Sequence, residues 1–151
     1  MTIRVSLHEP SRRWEKGTAM LGEQIGAEKG RVTGRRVLST DPPKMEISFE
    51  AEGTLLGVAN KNLGTYWSQL RPDGTMYGEA QGILMTQDGE AATWKAQGVG
   101  QFGKDGAVSY RGALYYQTAS TKLQRLNTIA TLFEYEVDPN GNTSSKLYEW
   151  R

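Results

Sequence analysis

Residues 72–106 read PDGTMYGEAQGILMTQDGEAATWKAQGVGQFGKDG, and three Asp-Gly pairs in this stretch decide the fold. Asp73-Gly74, Asp88-Gly89 and Asp105-Gly106 sit 15 and then 17 residues apart, and Asn140-Gly141 follows at about twice that step. Asp-Gly and Asn-Gly favour tight β-turns because Gly takes positive φ freely and Asp or Asn tolerates it. Turns at a nearly constant interval imply strands of about a dozen residues, each folding back on its neighbour.

Outward from this stretch, alternation of apolar and polar residues marks further strands. Ile3, Val5 and Leu7 share one face of a first strand over 2–8, and two less regular strands follow over 19–26 and 30–39. From Met45 the pattern is clean: Met45, Ile47, Phe49, Ala51, Gly53 and Leu55 point one way and Glu46, Ser48, Glu50, Glu52 and Thr54 the other. The spacing then predicts strands over 63–71, 75–86, 91–102, 107–118, 129–137 and 146–150, with one short helix candidate over 121–127. Eight to ten antiparallel strands in chain order predict a single all-β domain over 1–151, an up-and-down barrel of the lipocalin-like kind, with a two-sheet sandwich as the alternative.

Composition narrows the function classes. Eighteen Lys and Arg oppose 17 Asp and Glu, a net charge of +1, which makes no case for nucleic acid or an anionic membrane as a partner. Cysteine is absent, removing thiolate chemistry, disulfides and most structural zinc sites. His8 is the only histidine, so a Ser-His-Asp triad or a multi-histidine metal site has little to build on, and no cofactor is expected. No apolar run reaches the length of a signal peptide or a membrane span, and a cytoplasmic protein is the expectation. Gly98-Val99-Gly100 lies within a strand instead of opening a helix, which argues against a phosphate loop.

Turn length sets register, and register sets which side chains face inward. A three-residue loop at Lys104-Asp105-Gly106 places Phe102 opposite Val108, Gly100 opposite Tyr110, Gly98 opposite Gly112, Ala96 opposite Leu114 and Trp94 opposite Tyr116. Pro72-Asp73-Gly74 fits a type I turn followed by Gly, aligning Trp67 with Glu79, Gln69 with Tyr77 and Thr65 with Gln81. At Asp88-Gly89 a two-residue turn sets Ile83 against Trp94 and turns Glu79 and Gln81 inward. A three-residue loop there instead turns both outward and lines the interior with Gly78, Ala80, Gly82 and Leu84.

The two-residue reading gives an interior of Trp67, Tyr77, Gln81, Trp94, Tyr110 and Tyr116 around Glu79, as ligand-binding residues about one candidate catalytic carboxyl. Aromatic walls around a carboxylate and an amide suit a small organic molecule with an apolar body and a polar handle. Burial would raise the pKa of Glu79 toward that of a general acid or base. The alternatives are a solvent-facing Glu79 and rings that serve only as core packing. Tyr115 and Arg111 on the outer face suit a subunit contact or ordinary cross-strand pairing, and Arg35-Arg36 suit an anionic substrate or plain solvation.

In strand layout the chain resembles the allene oxide cyclase-like, calycin-type barrels over roughly 30–150. The likeness rests on long strands with repeated glycines: Gly78-Glu79-Ala80-Gln81-Gly82, Gly98-Val99-Gly100-Gln101-Phe102 and Arg111-Gly112-Ala113-Leu114. It implies a bacterial or archaeal member that associates as a homo-oligomer, a dimer or trimer. In the cyclases of that group the pocket uses a glutamate, a proline and an asparagine-held water, with a cysteine nearby. Here cysteine is missing, Pro10, Pro42, Pro43, Pro72 and Pro139 fall in expected loops, and Glu79 alone is placed to stand in for the glutamate.

Three functions fit these features: a binder of a small, partly hydrophobic ligand, a cyclase or isomerase acting inside the barrel, and a filled barrel with only an assembly role. Interior volume separates the third from the first two.

Overall fold

The computed structural model describes residues 21–150. Eight antiparallel strands pair in chain order and close into a barrel: β1 Gln24–Thr40, β2 Pro43–Leu55, β3 Val58–Leu70, β4 Met76–Thr86, β5 Ala91–Phe102, β6 Val108–Thr118, β7 Thr131–Val137 and β8 Asn142–Glu149. Closure through β1 and β8 removes free edges over most of the sheet. The expected strand over 2–8 lies outside the described residues. Of the strand expected over 19–26, residues 19 and 20 lie outside the described residues; its end from Gln24 and the strand expected over 30–39 are one continuous strand, β1, with register irregularities after Val32 and Val37. The helix candidate over 121–127 is a short 3-10 turn, Gln124–Thr128.

Three hairpins share one loop. Gly74, Gly89 and Gly141 each have φ between 81° and 85° and each donates its N–H to the carbonyl three residues back, of Arg71, Thr86 and Asp138. The flanking residues close each loop, with Thr86 N–H donating to the Glu90 carbonyl in the middle case. This is a type I turn followed by a left-handed Gly, a position that a β-carbon would strain. The loop at Lys104–Gly106 likewise encloses three residues between Gly103 and Ala107.

The register from β5 to β6 is the expected one throughout, including Trp94 opposite Tyr116 and Phe102 opposite Val108. From β3 to β4 the expected pairs also hold, with Trp67 opposite Glu79 and Thr65 opposite Gln81. From β4 to β5 the three-residue loop sets Gly82 opposite Trp94, Ala80 opposite Ala96 and Leu84 opposite Ala92. The two-residue register that turns Glu79 and Gln81 inward is therefore wrong by one residue, and every side chain of β4 changes face relative to it.

Two clusters fill the lumen. Ile25, Phe49, Leu55, Leu84, Trp94, Leu114, Tyr116 and Leu147 pack with Leu123 and Leu126, which plug one end from the segment between β6 and β7. Met76, Tyr110, Tyr135 and Val137 fill the other end. Small residues make room for the rings. A β-carbon at Gly64 would stand 2.8 Å from Trp94 and 2.5 Å from Phe49, and one at Gly82 would overlap the Trp94 indole.

Candidate functional site

The change of register moves the expected carboxylate out of the barrel. Glu79 and Gln81 are exposed on the outer face of β4, and Tyr77 and Trp67 share that face. There Tyr77 Oη donates to Glu79 Oε1 at 3.1 Å, the Trp67 and Tyr77 rings pack edge to face at 5.6 Å, and Lys44 Nζ lies 4.1 Å from the Trp67 ring centre. Of the expected interior residues, Trp94, Tyr110 and Tyr116 do face the lumen and are buried. Arg111 pairs with Glu136 at 2.8 Å across the outer face, and Arg36 pairs with Glu46 at 3.3 Å. Tyr115 is 53% exposed.

The lumen has a carboxyl of its own, Glu28. It sits on β1 opposite Gly53 of β2 and Ser145 of β8. Asn62 of β3 donates its amide N–H to Glu28, with Nδ2 3.2 Å from Oε1 and 3.1 Å from Oε2. The amide is held that way round by Trp94, whose Nε1–H donates to Asn62 Oδ1 at 2.8 Å. Ser145 supplies a further hydrogen bond to the carboxyl. The chain Trp94 to Asn62 to Glu28 thus runs donor to acceptor at every link and converges on one carboxyl.

Burial raises the Glu28 pKa above the ordinary 4.5, and the hydrogen bonds from Asn62 and Ser145 offset part of that shift. The phenols around it are held neutral by the same cause. Burial pushes Tyr66 up to about 12 and raises Tyr110, Tyr116 and Tyr135 as well. Tyr66, Tyr110 and Tyr135 form a ring trio, with centroids 5.7 to 6.1 Å apart. Their hydroxyls are tied in too: Tyr110 Oη lies 2.6 Å from Ser68 Oγ, and Tyr135 Oη donates to Tyr66 Oη at 3.5 Å.

A cavity of about 70 Å³ remains between these walls, touching Glu28, Asn62, Phe49, Tyr66, Trp94, Tyr116, Tyr135 and Ser145. Pockets for drug-sized ligands run to about 300–1,000 Å³, so the rings leave room for a much smaller group. The volume exceeds the roughly 10–15 Å³ that one water needs. Among the described residues no cluster of three or more His, Cys, Asp or Glu is placed to hold a metal, and no helix is long and apolar enough to cross a membrane.

Glu28 and Asn62 escape the sequence reading for two reasons. Glu28 falls in the gap left between the two strands expected in place of β1. Asn62 lies just before the strand expected from Leu63, on a strand whose lumen face is itself polar and small: Asn60, Asn62, Gly64, Tyr66 and Ser68. The available signal is Gly26 and Gly30, which flank Glu28 at two residues on either side and so share its face.

The sequence matches no family model and no curated protein. Solved structures with a similar fold exist. A protein of unknown function from Clostridium acetobutylicum ATCC 824 aligns with a TM-score of 0.74 at 17% identity, over 84% of this chain and 96% of that one. A β-barrel-like protein from Acinetobacter baumannii AYE gives 0.71 at 13% identity, over 84% and 93%. An enzyme from Penicillium herquei gives 0.63 at 14% identity, over 84% and 92%. What this chain shares with them is the β-barrel fold.

Proposed function

We propose that this barrel binds a small, partly hydrophobic molecule in its lumen, with Trp94, Tyr110 and Tyr116 among the walls and Glu28 with Asn62 as the polar end. The observation that carries the proposal is the cavity lined by the rings and by Glu28 together. A carboxyl buried beside a cavity costs stability unless a ligand or proton meets it, which supports a binding role for it. The glutamate of the lumen site is Glu28, since Glu79 faces away from the lumen. Likeness to the allene oxide cyclase-like group belongs to the same proposal. It is supported by the meander of long glycine-bearing strands, and it extends the reading to a cyclase or isomerase in which Glu28 carries a proton. A cysteine-free chain is in keeping with a reducing, cytoplasmic setting.

Native mass spectrometry of freshly purified protein tests the proposal. A retained small molecule, lost from Glu28→Gln protein, is the expected result. Once that molecule is known, turnover that disappears in Glu28→Gln while binding persists marks an enzyme, and weakened binding with no turnover in either form marks a binder.

A second reading is a filled barrel that acts through its outer surface as a homo-oligomer. The small volume of the cavity favours it, as does the outer-face apolar patch of Leu63, Ile83 and Met85, each more than 40% exposed on adjoining strands. A bare mass with a defined oligomer in the same spectrum is the result that reading expects.

A further inference from the structure

We infer that the polar group this lumen receives is a small organic ammonium, free or as the head of a longer molecule, with Glu28 as its counter-ion. The inference rests on the lumen being the binding site and adds the chemical class of what enters it. Every polar link leading to Glu28 is a donor pointed at it: Trp94 Nε1–H to Asn62 Oδ1 at 2.8 Å, Asn62 Nδ2–H to both Glu28 oxygens, and the Ser145 hydrogen bond. Such a chain stabilises negative charge on the carboxyl and gives an anionic ligand nothing to bind. A carboxylate accepts about four hydrogen bonds, so Asn62 and Ser145 leave lone pairs free for an N–H donor in the cavity.

Among the described residues lining the cavity none is Lys, Arg or His, and the cation whose charge reaches its walls is Arg35, felt at Tyr66. The Glu28 charge is felt by the phenols of Tyr116 and Tyr135, on β6 and β7, which burial keeps neutral. A buried carboxylate without a counter-ion is costly, and an entering ammonium removes that cost. Phe49, Tyr66, Trp94, Tyr116 and Tyr135 line the same space. Rings arranged about a desolvated cation attract it through their quadrupoles. Burial favours a proton on Glu28 while the barrel is empty, and an entering ammonium opposes it, releasing that proton to solvent.

Three probes of equal heavy-atom count separate the possibilities: isopropylammonium, isopropanol and acetate, each titrated into 15N-labelled protein near neutral pH. The signals followed are the Trp94 indole N–H and the Asn62 side-chain amide. Isopropylammonium is expected to bind about tenfold or more tighter than isopropanol, and acetate not to bind. Glu28→Gln is expected to bring the ammonium to the level of isopropanol while leaving isopropanol unchanged. Isopropanol or acetate binding as well as the ammonium in wild-type protein overturns the cation inference and leaves the lumen site standing. If none of the three moves Trp94 or Asn62, the lumen site falls and the inference falls with it.

Discussion

Gly53 gives Glu28 its place inside the barrel. The two residues face each other across β2 and β1, and a β-carbon on Gly53 would stand 2.7 Å from both Cα and Cβ of Glu28 and would overlap the Ala27 carbonyl. The obstacle is backbone as well as side chain, so β1 has to move to admit it. Gly53→Ala is expected to cost about 1–3 kcal/mol in denaturant unfolding and to displace the Glu28 carboxyl from Asn62. Unchanged stability together with an unmoved Asn62 side-chain amide signal would contradict this.

A matched pair of glycines tests the packing of Trp94. A β-carbon at Gly82 would overlap the indole, whereas one at Gly34 meets nothing within 4 Å. Gly82→Ala is expected to lose about 1–3 kcal/mol and to shift the Trp94 indole resonance, while Gly34→Ala keeps full stability. Equal effects at the two positions would mean that Trp94 does not lie across β4.

The plug between β6 and β7 closes one end with Leu123 and Leu126, both at 0% exposure. Leu126→Ala deletes methyl groups that the surrounding strands cannot fully replace. Unfolding free energy is expected to drop by about 2–5 kcal/mol with the far-ultraviolet spectrum of a β-barrel retained. A drop well under that range would show the plug to be loosely seated.

Stability should depend on pH through Glu28, and the sign follows from its raised folded-state pKa. Below the unfolded value of 4.5 both states hold the proton and the contribution is complete. Between that value and the folded one the native state binds more protons than the unfolded chain. Stability attributable to Glu28 therefore falls as pH rises through this window and is lost above the folded value. Glu28→Gln removes the slope: its denaturation midpoint relative to wild type should rise as pH increases above the unfolded value of 4.5. A parallel pair of curves would contradict a buried Glu28 carboxyl.

Much of the fold is written in the turn residues. Asp73-Gly74, Asp105-Gly106 and Asn140-Gly141 mark hairpins where the chain reverses, and the apolar alternation of Met45 to Leu55 identifies the lumen face of β2. The site was less legible because Glu28 and Asn62 lie on β1 and β3, where the lumen face carries mostly polar and small residues and hydrophobic periodicity does not mark it. On β3, Leu63 is 46% exposed while Asn62 is buried, the reverse of what side-chain polarity alone suggests. On β4 one face carries Gly78, Ala80, Gly82 and Leu84 and the other Tyr77, Glu79, Gln81, Ile83 and Met85; both include apolar groups, and register chooses between them. Thr86-Gln87-Asp88-Gly89-Glu90 folds as Arg71-Pro72-Asp73-Gly74-Thr75 does, but it lacks the proline that announces the first corner. Treating the two alike places Glu79 outside.

The most direct test is a pH titration of the Glu28 side-chain carboxyl by 13C NMR, with the signal assigned by its loss in Glu28→Gln. An enclosed carboxyl within the ring walls predicts a midpoint above the ordinary 4.5. A midpoint at or below 4.5 would show that desolvation does not govern the Glu28 carboxyl and would contradict the enclosed lumen site.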